Sequence, residues 1–255
     1  AWLATVGKGA VVFVLLRLLA ESGALGRPEV VLLLSVLAGA SMLAGNLLAL
    51  LEDDVRRLLA FSSVAHLGYL LVALLLVNAA AGDRLGAEAA LVYLLAYGIT
   101  TFGAFAVLAE RSAPGARRQH AAAQDSAADF DDGSRERFRG LFRRRPAVAL
   151  AFTALLLSLA GVPLTAGFVG KFYVVAAGVE GGLWTLLALL VIGSGVGLFY
   201  SLRLVHLMTL PTDPAPGGED SAGGGWLVAG VTVLVLGIGI LPQPVLALVR
   251  AALAL

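Results

Sequence analysis
Cysteine is absent from the 255 residues, which excludes disulfides, cysteine-ligated iron–sulfur clusters and thiol chemistry. Charge is scarce. Only 14% of residues are Asp, Glu, Lys or Arg, against about 25% in an ordinary soluble domain. Acids are missing from the interior of every apolar run: Glu21, Glu29, Glu52, Asp53, Asp54, Asp83, Glu88, Glu110 and Glu180 all fall at run ends. No glycine-rich turn opens a βα unit, and no P-loop, nucleophile–histidine constellation or metal-ligand spacing occurs. Redox and hydrolytic sites in this chain are therefore not expected, and a formal net charge of +1 gives no ground for nucleic-acid binding. Lysine is the most telling shortage. Lys8 and Lys171 are the only two, beside sixteen arginines, and both lie inside apolar runs.

What the chain has in abundance is apolar surface, with 59% hydrophobic residues and a mean hydropathy of +0.92. Runs of about 20 apolar residues recur, each enough to cross a hydrocarbon core of roughly 30 Å as a helix. Seven segments emerge, at 3–20, 29–51, 58–78, 87–109, 147–178, 183–209 and 226–250. They are continuous rather than alternating, so an all-α polytopic bundle is expected and a β-barrel is not. The opening "AWLATVGKGAVVF" has neither an initiator Met nor a charged n-region, so a piece of a longer protein is expected rather than a signal peptide. Arg56, Arg57 and the nine arginines from Arg111 to Arg145 fall on one side of the spans, which makes that side cytoplasmic by the positive-inside rule. The polar loop 111–146 is then cytoplasmic. Its end, "RERFRGLFRRRP", reads either as an ordinary basic loop or as an amphipathic surface helix with Phe138, Leu141 and Phe142 toward lipid.

The 147–178 segment, at about 48 Å if straight, is too long for one upright helix. Its centre, "LAGVPLTAGFVGKF", holds Gly161, Pro163 and Gly167. Pro163 removes a backbone donor and crowds the preceding turn. Two half-helices with an unwound joint at 161–166 are expected, a device that transporters use at ion sites; a simple proline kink is the alternative. Lys171 lies about two turns beyond the proline. Ionisable groups at membrane depth mark proton or ion paths, and a buried lysine, unlike an arginine, can release and regain a proton. Static pairing or snorkelling is the bland reading, weaker for Lys171 than for Lys8, which sits near the start of its span.

His66 carries Ser62, Ser63 and Tyr69 at helical spacings, one polar stripe on an apolar helix. Histidine is the natural relay group near neutral pH, although a structural hydrogen bond explains a lone buried one. Tyr93, Tyr97, Thr100 and Thr101 form a second hydroxyl stripe, suited to supporting a water chain or to helix packing. Arg203 and His206 read as interfacial.

Several stretches resemble a known family: "GNLLALLEDDVRRLLAFSSVAHLGYLLVALLL", "YLLAYGITTFGAFAVLAE", "GLFRRRPAVALAFTALLLSLAGVPLTAGFVGKFYV" and "LPQPVLALVR". They are similar to the antiporter-like membrane subunits of bacterial respiratory NADH:quinone oxidoreductase (complex I) and of multi-subunit Mrp-type cation/proton antiporters. The likeness runs in order through the chain and corresponds to the C-terminal half of an N-type subunit. It implies a single membrane domain. Residues 1–27 would be the last helix of a first repeat, 28–210 a second, inverted five-helix repeat, and 226–255 the final helix. It further implies proton relay by Lys8, His66 and Lys171, with supporting roles for Ser62, Ser63, Tyr69, Tyr97 and Thr101. A lysine at 171 and the "SSVAHLGY" and "GKFYV" surroundings favour the N type. No cofactor is implied in this chain. Flavin and iron–sulfur clusters belong to partner subunits, and quinone is used by the complex. The implied partners are other membrane subunits, including neighbouring antiporter-like ones, the lipid of the bacterial inner membrane, and protons. Gly7 stands where relatives often have serine, the 111–146 loop is long, and the first repeat's glutamate and lysine are not in this sequence. The competing functions are a redox-independent cation/proton antiporter and a structural scaffold.

Overall fold
The computed structural model describes residues 7–79, 85–111, 134–211 and 225–253. Nine helices longer than two turns occur among them: α1 (Lys8–Ser22), α2 (Pro28–Leu51), α3 (Val55–Ala79), α4 (Leu85–Arg111), α5 (Pro146–Ala160), α6 (Ala166–Glu180), α7 (Trp184–Thr209), α8 (Gly225–Ile240) and α9 (Gln243–Leu253). No strand occurs among the described residues. The apolar pattern explains the length of the helices, and proline explains where several begin: Pro28 opens α2 and Pro146 opens α5, where a missing N–H costs nothing.

α2, α3, α4 and α7 are each long and apolar enough to cross a membrane alone. α3 and α4 are the most enclosed, with 72% and 56% of their apolar windows buried, whereas α2 buries only 28%. The protein therefore has an inside built around α3 and α4 and a periphery, α2 included, whose leucines face outward. This arrangement is that of a polytopic membrane protein. In lipid, outward leucines lose nothing, so close packing and satisfied polar groups hold such bundles together. The approach of α2 to α3 is an example: a Cβ on Gly45 would collide with the Ala65 backbone nitrogen, so only glycine permits it.

The expected break in 147–178 is present, with α5 ending at Ala160 and α6 starting at Ala166. One expectation needs correction. The 226–250 run is not one helix: after Ile240 the chain turns by 83° into α9. Pro242 and Pro244 supply no N–H for the ladder there, and α9 buries one side only, through Leu246 and Val249. Of the two readings left open for the basic segment before α5, an ordinary loop or a surface helix in lipid, the surface helix is the one the structure does not show, and the segment is not a plain loop either. It forms a short 3-10 turn, Arg135–Phe138, and a single helical turn, Leu141–Arg144. Phe138 and Leu141 are buried, and the Phe138 ring stacks on Phe152 of α5 at 5.5 Å. Facing the bundle gives these side chains tight neighbours that lipid does not supply. The segment is tied to the α2–α3 turn, where Arg135 N donates to Asp53 O at 3.1 Å.

Candidate functional site
The site begins with the way α5 ends. Gly161 takes φ +88°, the left-handed geometry that closes helices and that glycine adopts without strain. Its N–H and that of Val162 turn back to Leu157 and Ser158. The carbonyls of Leu159 and Ala160 are thus left facing the joint, and unsatisfied carbonyls at membrane depth are costly. Lys171 supplies the donor. Its Nζ donates to Leu159 O at 3.0 Å and to Ala160 O at 2.8 Å. A C-terminal helix end carries about half a negative charge, so the ammonium sits at a fixed dipole rather than beside an acid. No carboxylate pairs with Lys171 among the described residues.

The joint is built to hold this geometry. Gly167 donates its N–H to Ser158 Oγ at 3.0 Å, and any Cβ there would collide with the Ser158 carbonyl. Ser158 Oγ also meets Thr100 Oγ1 of α4 at 3.1 Å. Thr165 caps α6, its Oγ1 accepting from Phe168 N at 3.4 Å. Leu164 has φ +72° without being glycine, a conformation that costs of order 1–3 kcal/mol and clusters at functional sites. α8 presses on the same place, since a Cβ on Gly239 would overlap the Leu164 carbonyl.

Beside the lysine lies an aromatic cluster. Lys171 Nζ is 5.2 Å from the centroid of the Tyr69 ring, a cation–π distance. His66 meets the same ring edge-on at 5.4 Å, and its Nδ1 is 2.6 Å from Tyr93 Oη. Tyr97 stacks on His66 at 4.9 Å and donates to Ser63 Oγ at 2.9 Å. Tyr200 of α7 donates to Ser62 Oγ at 3.0 Å. All these residues are buried. The two stripes read from α3 and α4 therefore do face one another. Thr101 lies beside Tyr97 and Ser194 beside Tyr69, yet neither hydroxyl forms a hydrogen bond of good geometry.

Of the residues singled out in the sequence, Lys171, Gly161, Gly167, Ser62, Ser63, His66, Tyr69, Tyr97 and Thr101 belong to this polar interior. Pro163 lies in the joint. Lys171 and His66 do not bond directly; each contacts Tyr69. Lys8 opens α1, and its side chain is outside the described residues. Three participants escaped the sequence reading. Asn46 of α2 donates to Tyr69 Oη at 3.0 Å, Ser158 braces the joint, and Tyr200 reaches in from α7. Asn46 was findable as the lone amide in an apolar helix, and Ser158 as the only hydroxyl in the last turn before the break. Arg203 and His206 line a separate 440 Å³ cavity at the arginine-rich end with Asp53 and Arg135. There Arg135 Nη1 lies 3.1 Å from Asp53 Oδ1, an ion pair without hydrogen-bond alignment.

An apolar segment broken between α5 and α6, its severed end capped by a buried lysine beside a histidine–tyrosine cluster within a bundle of membrane-length helices, fits an antiporter-like membrane protein. Residues 1–197 match the family described as "NADH:quinone oxidoreductase/Mrp antiporter, TM". The chain belongs to that family. It is 45% identical over 257 residues to NADH-quinone oxidoreductase subunit N of Ectopseudomonas mendocina. The corresponding protein of Chromohalobacter salexigens is 43% identical over 259 residues. Each alignment takes in 99% of this chain but only 49% and 50% of the relative, so the chain spans about half the length of the curated relatives it matches. A subunit of respiratory complex I from Thermus thermophilus is 34% identical, with a TM-score of 0.68 over 87% of this chain and 45% of that one. The Mrp complex of a Dietzia species shares the fold, with a TM-score of 0.76 over 93% of this chain and 49% of that one, at 23% identity.

Proposed function
We propose that this chain is the C-terminal half of a subunit N, a proton-translocating membrane subunit of NADH:quinone oxidoreductase. Lys171 would be its terminal proton carrier. The observation that carries the reading is the Lys171 ammonium on the Leu159 and Ala160 carbonyls. Partial charges stabilise the ammonium, and no carboxylate among the described residues locks it in place. When the amine gives up a proton it loses a favourable contact, and when it regains one the helix end is waiting. An arginine would keep the contact and never release the proton.

Lys8, His66 and Lys171 relay protons through internal water in this reading. Ser62, Ser63, Tyr69, Tyr97 and Thr101 supply hydroxyls along the way. The two buried hydroxyls without well-formed bonds, on Thr101 and Ser194, support it, since such groups hold ordered water. Residues 1–27 complete a first repeat, 28–210 form the second, and 226–255 follow it. The chain itself binds no cofactor. Flavin and iron–sulfur clusters sit in partner subunits that deliver the energy, and neighbouring antiporter-like subunits flank it in the bacterial inner membrane. The arginine-rich end of the bundle, with Arg56, Arg57 and Arg135 to Arg145, faces the cytoplasm in this reading, and residues 112–133 of the 111–146 connection lie outside the described residues.

The test is to tag the protein in its native bacterium and purify it gently. Co-purification of flavin and iron–sulfur absorbance with NADH:quinone reductase activity is expected. A colourless preparation that exchanges sodium or potassium for protons in liposomes would contradict the reading and make the protein an antiporter.

A further inference from the structure
α7 brings two glycines to one side of the polar interior, and their surroundings differ. At Gly193 the packing is closed. A Cβ there would stand 2.7 Å from both Asn46 Nδ2 and Tyr69 Oη, so α7 sits directly on the hydrogen bond between α2 and α3. Gly197 lies one turn further along the same face and is buried. A Cβ on Gly197 would meet nothing nearer than Tyr200 Oη at 3.5 Å and Asn46 Oδ1 at 3.8 Å. Those are ordinary contact distances, and the two side chains present oxygen to the same place.

Both oxygens have unused acceptor capacity. The orientation of the Asn46 amide follows from its donors, since Nδ2 gives one N–H to Met42 O at 2.8 Å and one to Tyr69 Oη at 3.0 Å. Oδ1 is left toward Gly197, and no donor to it occurs among the described residues. Asn46 is only 3% exposed, so bulk water does not supply one. Tyr200, also buried, gives its O–H to Ser62 Oγ at 3.0 Å and accepts from no described residue. A third group completes the set. Ser194 lies three residues before Gly197 on the same face, and its buried Oγ has no hydrogen-bond partner. Two buried acceptors and one buried hydroxyl match the valence of a single water, which donates twice and also accepts. Polar groups held just beyond hydrogen-bond distance are commonly joined in this way.

We propose that Gly197 marks a binding site for one buried water, which donates to Tyr200 Oη and Asn46 Oδ1, accepts from Ser194 Oγ, and thereby holds Asn46 on Tyr69. The water ties α7 to α2, and through the two side chains it reaches Ser62 and Tyr69 of α3. Tyr69 is the residue that both Lys171 and His66 contact. Asn46 is therefore a positioning residue: Nδ2 anchors the Tyr69 hydroxyl, and the water on Oδ1 keeps the amide in that orientation. Without the water, Oδ1 is a buried acceptor with no donor, which is costly. The amide relieves that cost by turning, and Tyr69 then loses its anchor beside the Lys171 ammonium. The consequence for proton transfer rests on the translocation reading above; the water site itself does not.

The test has two arms, both on the complete complex. In electron cryo-microscopy maps that resolve other buried waters, density is expected within hydrogen-bond distance of Tyr200 Oη and Asn46 Oδ1, and it should be lost in Gly197→Ala. A wild-type map without it overturns the site. The second arm reads protons moved per NADH oxidised in inverted membrane vesicles, at matched amounts of assembled complex. Gly197→Ala puts a methyl at ordinary contact distances, so assembly should hold while the ratio falls. Gly197→Ser is the rescue, because its hydroxyl supplies a donor in place of the water, and the ratio should recover. A packing fault would do the opposite, since serine is the larger side chain. A wild-type ratio in Gly197→Ala, a serine variant no better than alanine, or a loss confined to the amount of assembled complex overturns the positioning role. Wild-type vesicles that move no protons on NADH overturn the translocation reading, while the density still decides the water site.

Discussion
Lys171 has two jobs that substitutions separate. As a donor it satisfies the Leu159 and Ala160 carbonyls, and leaving a buried acceptor unpaired costs about 1–3 kcal/mol. As a carrier it must also let go. Lys171→Met should therefore reduce both pumping and the thermal midpoint of the purified protein. Gly167 answers a purely steric question: Gly167→Ala pushes a methyl into the Ser158 carbonyl. That variant should fail to accumulate in membranes by immunoblot, whereas Ser158→Ala, which removes only hydroxyl contacts, should accumulate near normally. Tyr93→Phe deletes the 2.6 Å contact to His66 with little change of volume. It should slow proton transfer several-fold in stopped-flow pH-dye traces while leaving the amount of protein unchanged. Lys171 is legible in the sequence because charge in an apolar run is conspicuous. Its partners are not, since backbone carbonyls have no letter in a sequence. Asn46 and Tyr200 were obscured for a related reason, as a polar side chain on one helix says nothing of which helix it faces.

At the scale of elements, the break between α5 and α6 could be read directly, because Gly161, Pro163 and Gly167 fall within seven residues of a segment too long for one span. The bend after Ile240 was missed although "LPQP" carries the same kind of signal. Hydropathy stays high through Leu241 and Leu246, and window averages hide a change of direction. The basic segment left its two readings open for another reason. Phe138, Leu141 and Phe142 among arginines suit a membrane surface and a bundle rim equally, and only the position of Phe152 decides for the rim. Phe138→Ala removes a buried ring, a change that commonly costs about 3–5 kcal/mol. The variant should unfold in detergent at a temperature several degrees lower than the unaltered protein, as followed by tryptophan fluorescence. Phe142, only partly buried against the core, should tolerate alanine with a much smaller shift.

Across the whole molecule, burial and polarity are arranged together. α3 and α4, the most enclosed spans, carry the histidine and tyrosines; α6 brings the lysine to them; α2 and α7 add Asn46 and Tyr200 from outside. The interior is thus a polar seam wrapped in apolar helices. Such a seam is costly to bury in a membrane and marks proton or ion paths, and that ties the fold to the function proposed here. The most direct measurement is the number of protons moved per NADH oxidised, in vesicles carrying the complete complex with Lys171→Arg. The arginine keeps a positive charge at the end of α5 but cannot release a proton. The account predicts a ratio reduced nearly as far as in Lys171→Met. A wild-type ratio in the arginine variant would contradict it and leave Lys171 as a helix cap alone.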